Sequence, residues 1–463
     1  MDDIHITPKE WKAILGLSTI FSLRMLGMFM VLPVLNTYGI LLTDASETLI
    51  GIAIGIYGLT QALFQIPCGL LSDLIGRKTV IVIGLLLFAL GSAIAGIANS
   101  IWGVILGRSL QGSGAISAAI MALLSDLTQE QNRTLAMAYI GISFGITFTI
   151  AMITGPIITQ AIGLSGLFWI IALMALSGIM VTLFFIPNPN HQVLNRDSNV
   201  IQSNFGVVLT NSYLMKLNFS IMCLHTLLIS SFIAIPPLME KAGLSRHNQW
   251  QVYIVTMLIA LVCVVPLIFY AEKYRYIKQI FRICILLMLF AEVIFWYVDT
   301  NLYGIFLGIQ LFFISFNIIE ALLPSILSKV SPTGYKGTAM GIYSTSQFIG
   351  VAIGGSIGGL LYEHNGANMV FTSCAVLTAI WLLISLTMKQ PIYLSNLRIV
   401  IPKEIRATYQ LEKLIKNLHG VVDVVLIPEE QTIYMKIDSK LISRSQIELF
   451  ISSSEHSEIK FKE

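Results

Sequence analysis

The chain has 463 residues, 56% of them hydrophobic and 11% charged, with mean hydropathy +0.80 and formal net charge +3. A soluble globular domain carries roughly 25% charged residues, so this composition excludes an ordinary water-soluble fold for most of the chain. The charge is gathered at the C-terminus: residues 391–463 hold 10 Lys/Arg and 10 Asp/Glu, leaving 28 − 10 = 18 and 25 − 10 = 15 for the first 390 residues.

The opening MDDIHITPKEWKA has neither a basic leader nor a small-residue cleavage site, so no removable signal peptide is expected. Apolar runs then recur, each long enough to cross a hydrocarbon core of about 30 Å. They are expected near 13–38, 47–72, 79–98, 101–126, 134–162, 165–187, 213–238, 247–271, 279–298, 302–327, 336–362 and 367–389. Basic residues occupy alternate loops: Lys9, Lys12, Arg77, Lys78, Arg133, Arg196, Lys216, Lys273, Arg275, Lys278, Arg282, Lys329, Lys336 and Lys389 on one side, only Lys241 and Arg246 on the other. By the positive-inside rule both termini and the tail are expected in the cytoplasm.

Two halves, 1–187 and 213–390, are expected to flank a cytoplasmic linker at 188–212, with a soluble domain at 391–463. The halves repeat. FMVLPVL at 29–35 matches FIAIPPL at 232–238, and LSDLTQEQNRTLAMA at 124–138 matches LSKVSPTGYKGTAMG at 327–341, both at an offset of 236 − 33 = 203. The five cysteines are scattered in apolar stretches without disulfide or zinc spacing, so no metal is expected.

The loop GLLSDLIGRK (69–78) resembles the signature Gly-x-Leu-x-Asp-x-x-Gly-Arg-Lys of the major facilitator superfamily. RSLQGSG, with Arg108, Gln111 and Gly112, resembles that family's span-4 motif. Gly141, Gly145, Gly155 and Pro156 resemble its span-5 antiporter motif, although Thr159–Gln160 stand where a double glycine is usual. The chain is thus similar to the drug:proton antiporter branch. This resemblance implies an all-α polytopic fold of twelve transmembrane helices in two six-helix halves, working by alternating access, with spans 1, 4, 7 and 10 lining a central cavity.

Elementary physics gives the loop a role. Gly69 and Gly76 let backbones approach, and Asp73 is expected to accept from the free amides that begin span 11 near Lys336–Gly337. Arg77, followed by Lys78, is expected to pair with Asp126, near Glu130 and Arg133. Together they would latch the cytoplasmic side in one state; the alternative is topology-setting surface charge. The span-5 glycines are expected to allow tight helix contact, and Pro156 to bend the helix.

Ionisable groups deep in a span are functional candidates by default. Arg24 lies about 11 residues into span 1, or roughly 16 Å at 1.5 Å per residue. His225 and Glu320 lie in spans 7 and 10, with Asn317 one turn before Glu320. Glu320 is the first candidate to carry a coupling proton, because leaving water favours the neutral form of a carboxyl group. Arg24 and His225 are the others; a structural ion pair or a bonded core histidine is the alternative. Arg108, near the outer end, could snorkel instead. Glu292 in span 9 is expected to take a lipid-edge or packing role. Asn36, Tyr57, Gln61, Gln65, Gln111, Asn317, Tyr343, Ser346 and Gln347 are the candidates to line the substrate cavity. So sparsely charged a cavity suits a hydrophobic or amphipathic small molecule.

Residues 396–463 read as β-α-β-β-α, with strands NLRIVI, GVVDVVLI and TIYMKI and an amphipathic stripe at Leu411, Leu414, Ile415 and Leu418. The order resembles a ferredoxin-like domain. Lacking paired cysteines it is expected to bind no metal; it would bind a small ligand, self-associate, or serve only solubility. No phosphate loop, nucleophile–base pair or nucleic-acid patch is present, so neither an enzyme, a cofactor nor nucleic acid is expected. The reading is a proton-coupled secondary transporter exporting a small molecule; the alternative is a non-transporting membrane sensor signalling through its tail.

Overall fold

The computed structural model describes residues 7–188, 205–298, 300–332, 335–388, 395–400, 414–427, 432–437, 441–442, 445–447 and 449–450. Most of the expected linker and Leu411 of the tail's amphipathic stripe lie outside the described residues.

Among the described residues, ten helices are long and apolar enough to cross a membrane. Span 1 (Pro8–Gly39) opens on a capping box, in which Thr7 Oγ1 accepts from the Glu10 amide and the Glu10 carboxylate accepts from the Thr7 amide. Span 2 is Glu47–Ile75, span 3 Arg77–Ile97 and span 4 Ile101–Leu127. Spans 7 to 10 are Ser212–Lys241, Gln249–Lys273, Ile277–Tyr297 and Leu302–Val330. Glu130–Met180 and Lys336–Leu386 each run 51 residues, about 77 Å at 1.5 Å per residue, too long for one crossing. Each breaks in its middle. Gly163 (φ 75°) divides spans 5 and 6, and Asn365 with Gly366 (φ 68°) divides spans 11 and 12. Ten helices and two breaks make twelve membrane-length segments, and the breaks sit 366 − 163 = 203 residues apart, the offset of the repeat.

The helices pack through small residues, as apolar lipid leaves packing rather than water exclusion to hold them. A Cβ on Gly84 of span 3 would strike Ile116 of span 4, and one on Gly107 would lie 2.8 Å from the Ala95 nitrogen. Phe148 of span 5 joins the halves, its ring 5.4 Å from Phe316 and 6.3 Å from Phe313 of span 10.

In the tail, β1 (Ser395–Val400), β2 (Val421–Ile427) and β3 (Thr432–Ile437) form a sheet in the order β1-β3-β2, with β3 antiparallel to both neighbours. β1 and β2 therefore run parallel with β3 between them. Ile399, Ile415, Val424, Ile433, Met435, Ile437 and Ile447 form its core. The alternate residues of β3 are buried too, and Lys436 Nζ donates to the Lys329 carbonyl, 2.8 Å away at the end of span 10.

Candidate functional site

The bundle has an inner end, which bears loop 69–78, and an outer end opposite to it.

The C-terminal half builds one polar cluster from three helices. Glu320 (span 10) is nearly enclosed, its side chain 15% exposed. Gln347 (span 11) bridges it to His225 (span 7): Gln347 Nε2 stands 2.8 Å from His225 Nε2 and 3.4 Å from Glu320 Oε1. His225 Nδ1 faces the Ile221 carbonyl one turn back, at 3.3 Å, so it carries the ring proton, and Nε2 accepts from the amide. Glu320 Oε2 lies 4.0 Å from His225 Nε2 and has no hydrogen-bond partner among the described residues; the same holds for the buried Tyr343 hydroxyl, one turn from Gln347. The only basic side chain within ion-pair reach of Glu320 among the described residues is His225, so a permanent ion pair does not neutralise this carboxylate. An uncompensated charge is costly here, whereas a proton on Glu320 or His225 would remove it.

The N-terminal half holds two further networks. Arg24 (span 1) donates through Nη2 to Gln61 Oε1 and reaches Ser117 Oγ at 3.5 Å; Gln61 passes the chain to Gln65 at 2.8 Å. Arg24 also stands 5.8 Å from the Phe88 ring centre. Arg108 is fully buried, which excludes snorkelling. Its guanidinium covers the Tyr57 ring at 4.5 Å and donates to Gln111 Oε1 at 2.9 Å and the Ala53 carbonyl at 3.4 Å. Gln111 in turn donates to Ser92 at 2.7 Å.

Other candidates stand apart from these clusters. Asn36 donates across the halves to the Ile233 carbonyl near the outer end. Asn317 and Ser346 bond only to their own helices, at the Phe313 and Ile342 carbonyls. Glu292 is not at the lipid edge: it is wholly buried and accepts from Ser231 of span 7 at 3.2 Å. The serine supplies a donor to one carboxyl oxygen, and the other, Oε2, has no hydrogen-bond partner among the described residues.

At the inner end Arg77 donates to Asp126 at 3.2 Å and to Ser72 at 2.9 Å, and it pairs with Asp73. Asp73 does not cap span 11 in this arrangement. Its carboxylate is taken by Arg77 of its own half, four residues on, across the break at Gly76. Gly69 gives its carbonyl to Ser72, Gly76 adopts φ 99° between spans 2 and 3, and Lys78 donates to the Ile186 carbonyl at 2.5 Å. The side chains of Glu130 and Arg133 lie outside the described residues. Of the span-5 glycines, only Gly155 makes the expected close contact: a Cβ there would lie 2.5 Å from the Met30 carbonyl. Gly141 and Gly145 have nothing within 4 Å, because that face of span 5 turns away from its neighbours.

An aromatic layer that the motifs do not announce completes the cluster. Phe316, one turn before Glu320, has its ring 5.9 Å from His225 and covers that side of the cluster. Its i to i+4 spacing from Glu320 is the signal in the sequence that would have found it.

Membrane-length helices in two repeated halves, with a buried carboxylate cluster inside the second, define a multi-pass membrane protein of the secondary-transporter type. The family model of the Major Facilitator Superfamily matches residues 13–355 and 318–404, and that of the YajR YAM domain matches 397–453. The chain belongs to the Major Facilitator Superfamily. It is 57% identical over 448 residues to the inner membrane transport protein YajR of Escherichia coli (strain K12), covering 97% of this chain and 99% of that one. It is 24% identical over 374 residues to multidrug resistance protein 1 of Bacillus subtilis (strain 168), covering 80% and 94%. A bacterial homologue of the human lysosomal transporter Spinster shares the fold with a TM-score of 0.65 at 14% identity, over 82% of this chain and 97% of that chain.

Proposed function

We propose that the protein is a proton-coupled exporter of a hydrophobic or amphipathic small molecule, acting in a bacterial inner membrane with its termini and tail in the cytoplasm. The observation that carries this is Glu320, a nearly enclosed carboxylate whose neighbours are a histidine and an amide rather than a lysine or arginine. Such a group binds a proton when sealed and gives it up when water reaches it. His225 is placed to share that proton: Glu320 Oε2 and His225 Nε2 are separated by 4.0 Å, and Gln347 can swing from between them. Arg24 with Gln61 and Gln65 offers a second polar network in the N-terminal half, and the Phe316 ring beside His225 suits an apolar solute. The name of the Bacillus subtilis relative supports the substrate class. The latch residues Gly69, Asp73, Arg77 and Asp126 would hold the inner end in the opposite state. The docking of Lys436 on span 10, whose helix carries Glu320, supports a regulatory role for the tail.

The test is efflux of dyes and drugs in inside-out vesicles with a proton gradient imposed and then collapsed. Wild type should accumulate substrate only with the gradient, and Glu320→Gln should lose that dependence. Gradient-driven transport surviving in Glu320→Gln would overturn the proton assignment.

A further inference from the structure

Spans 2 and 11 run antiparallel and touch most closely at the outer end. Gly51, Gly55 and Gly58 of span 2 meet residues 348–359 of span 11, and a Cβ on Gly51 would lie 2.7 Å from Gly359 Cα. Beyond this seam, Glu363 Oε2 accepts from the Thr48 amide at 2.8 Å. Thr48 is the second residue of span 2, so its N–H has no acceptor within its own helix, and the helix dipole presents its positive end there. Glu363 comes two residues before the helix breaks at Asn365. The last carboxylate of span 11 therefore caps the start of span 2.

The same pair has a second carboxylate at its other end. Asp73 lies two residues before the end of span 2, at the end of the pair where span 11 begins, and in this arrangement it is engaged with Arg77 of its own half. Thr48 and Asp73 are 25 residues apart, about 38 Å along the helix. Halves that rock about a central site cannot keep both ends of so long a pair together.

We propose that Glu363 is an outer-gate residue, a positioning group that closes the outer end by capping span 2 and that lets go when Asp73 caps span 11. Two neighbouring contacts close with it: Asn36 to the Ile233 carbonyl, and Arg246 to the Thr37 carbonyl at 3.1 Å. Glu363 is exposed, and Glu47 stands within electrostatic reach of it, so its bond biases the equilibrium without locking it. Exposed charges on helix ends of this kind change an equilibrium about two- to five-fold. The proposal rests on the alternating-access reading, but its readout needs neither substrate nor proton gradient.

The experiment uses the full chain in lipid nanodiscs, with spin labels at Leu41→Cys and Thr300→Cys in a background free of native cysteines. These positions are exposed at the outer ends of the two halves. Glu363→Ala should move the label-to-label distribution toward the longer distance by about two- to five-fold in population, and Asp73→Asn should move it the opposite way. A short thiol cross-linker between Thr48→Cys and Glu363→Cys should collapse the distribution to the short distance. An unchanged distribution in Glu363→Ala, with Asp73→Asn still shifting it, would overturn the gate assignment alone. A single distance in every variant, cross-linked or not, would overturn the rocking of the halves as well.

Discussion

At the residue scale, burial turned single polar side chains into networks that sequence position could only suggest. Arg108 shows the energetics. Its guanidinium uses a fork geometry to reach Gln111 and the Ala53 carbonyl while stacking on Tyr57. Arg108→Ala leaves Gln111 Oε1 and the ring without their partner. The loss of a buried hydrogen bond costs about 1–3 kcal/mol, so a melting curve in detergent should shift clearly downward. Arg108→Lys keeps the charge but not the fork, and its curve should fall between the two. Gln347 offers a functional contrast. Its amide bridges His225 and Glu320, so Gln347→Leu should depress proton-driven flux in vesicles by more than its downward melting shift accounts for, with expression retained. Loss of a bond to a charged group is worth about 1.5–3 kcal/mol, or roughly ten-fold in flux or more. Wild-type flux in that variant would remove the bridge from the mechanism.

At the element scale, the crossings were readable because bilayer thickness fixes helix length, and the breaks at Gly163 and Gly366 follow from the repeat that aligns the halves. What each glycine touches was not readable. A glycine in a helix permits close approach on whichever face a partner happens to lie, and that face is a property of the assembled bundle. Gly112 and Gly155 face backbone: a Cβ on Gly112 would strike the Tyr57 carbonyl, and one on Gly155 the Met30 carbonyl. Gly141 and Gly145 face open space. Gly112→Ala and Gly155→Ala should each destabilise by about 1–3 kcal/mol through overpacking. Gly141→Ala and Gly145→Ala should stabilise by up to about 1 kcal/mol through helix propensity. Thermal unfolding of the four variants side by side checks both signs. The partnership of His225 with Gln347 was hidden for the same reason, since it depends on the register of span 7 against span 11.

At the scale of the whole molecule, the loop charges behave differently from the crossings, because their partners change with state. Arg77 to Asp126 could be foreseen, as both residues belong to one half and move together. The partner foreseen for Asp73 lies in the other half, and here the halves meet at their outer ends instead. Asp73 is then free of span 11 and rests on Arg77, four residues on across the break at Gly76. This arrangement predicts the effect of Asp73→Asn. The fold does not depend on Asp73, because Arg77 keeps Asp126 and Ser72, so expression and melting should match wild type. The opposite state loses its carboxylate cap on span 11, worth about 0.3–1 kcal/mol at an exposed helix end and up to about 2 when partly buried. The state with the outer end closed therefore becomes more populated by a few-fold or more, and the return step of each cycle slows in proportion. Steady-state efflux in vesicles should fall by that factor with little change in substrate affinity measured at equilibrium. Flux at the wild-type rate would show that Asp73 never reaches span 11.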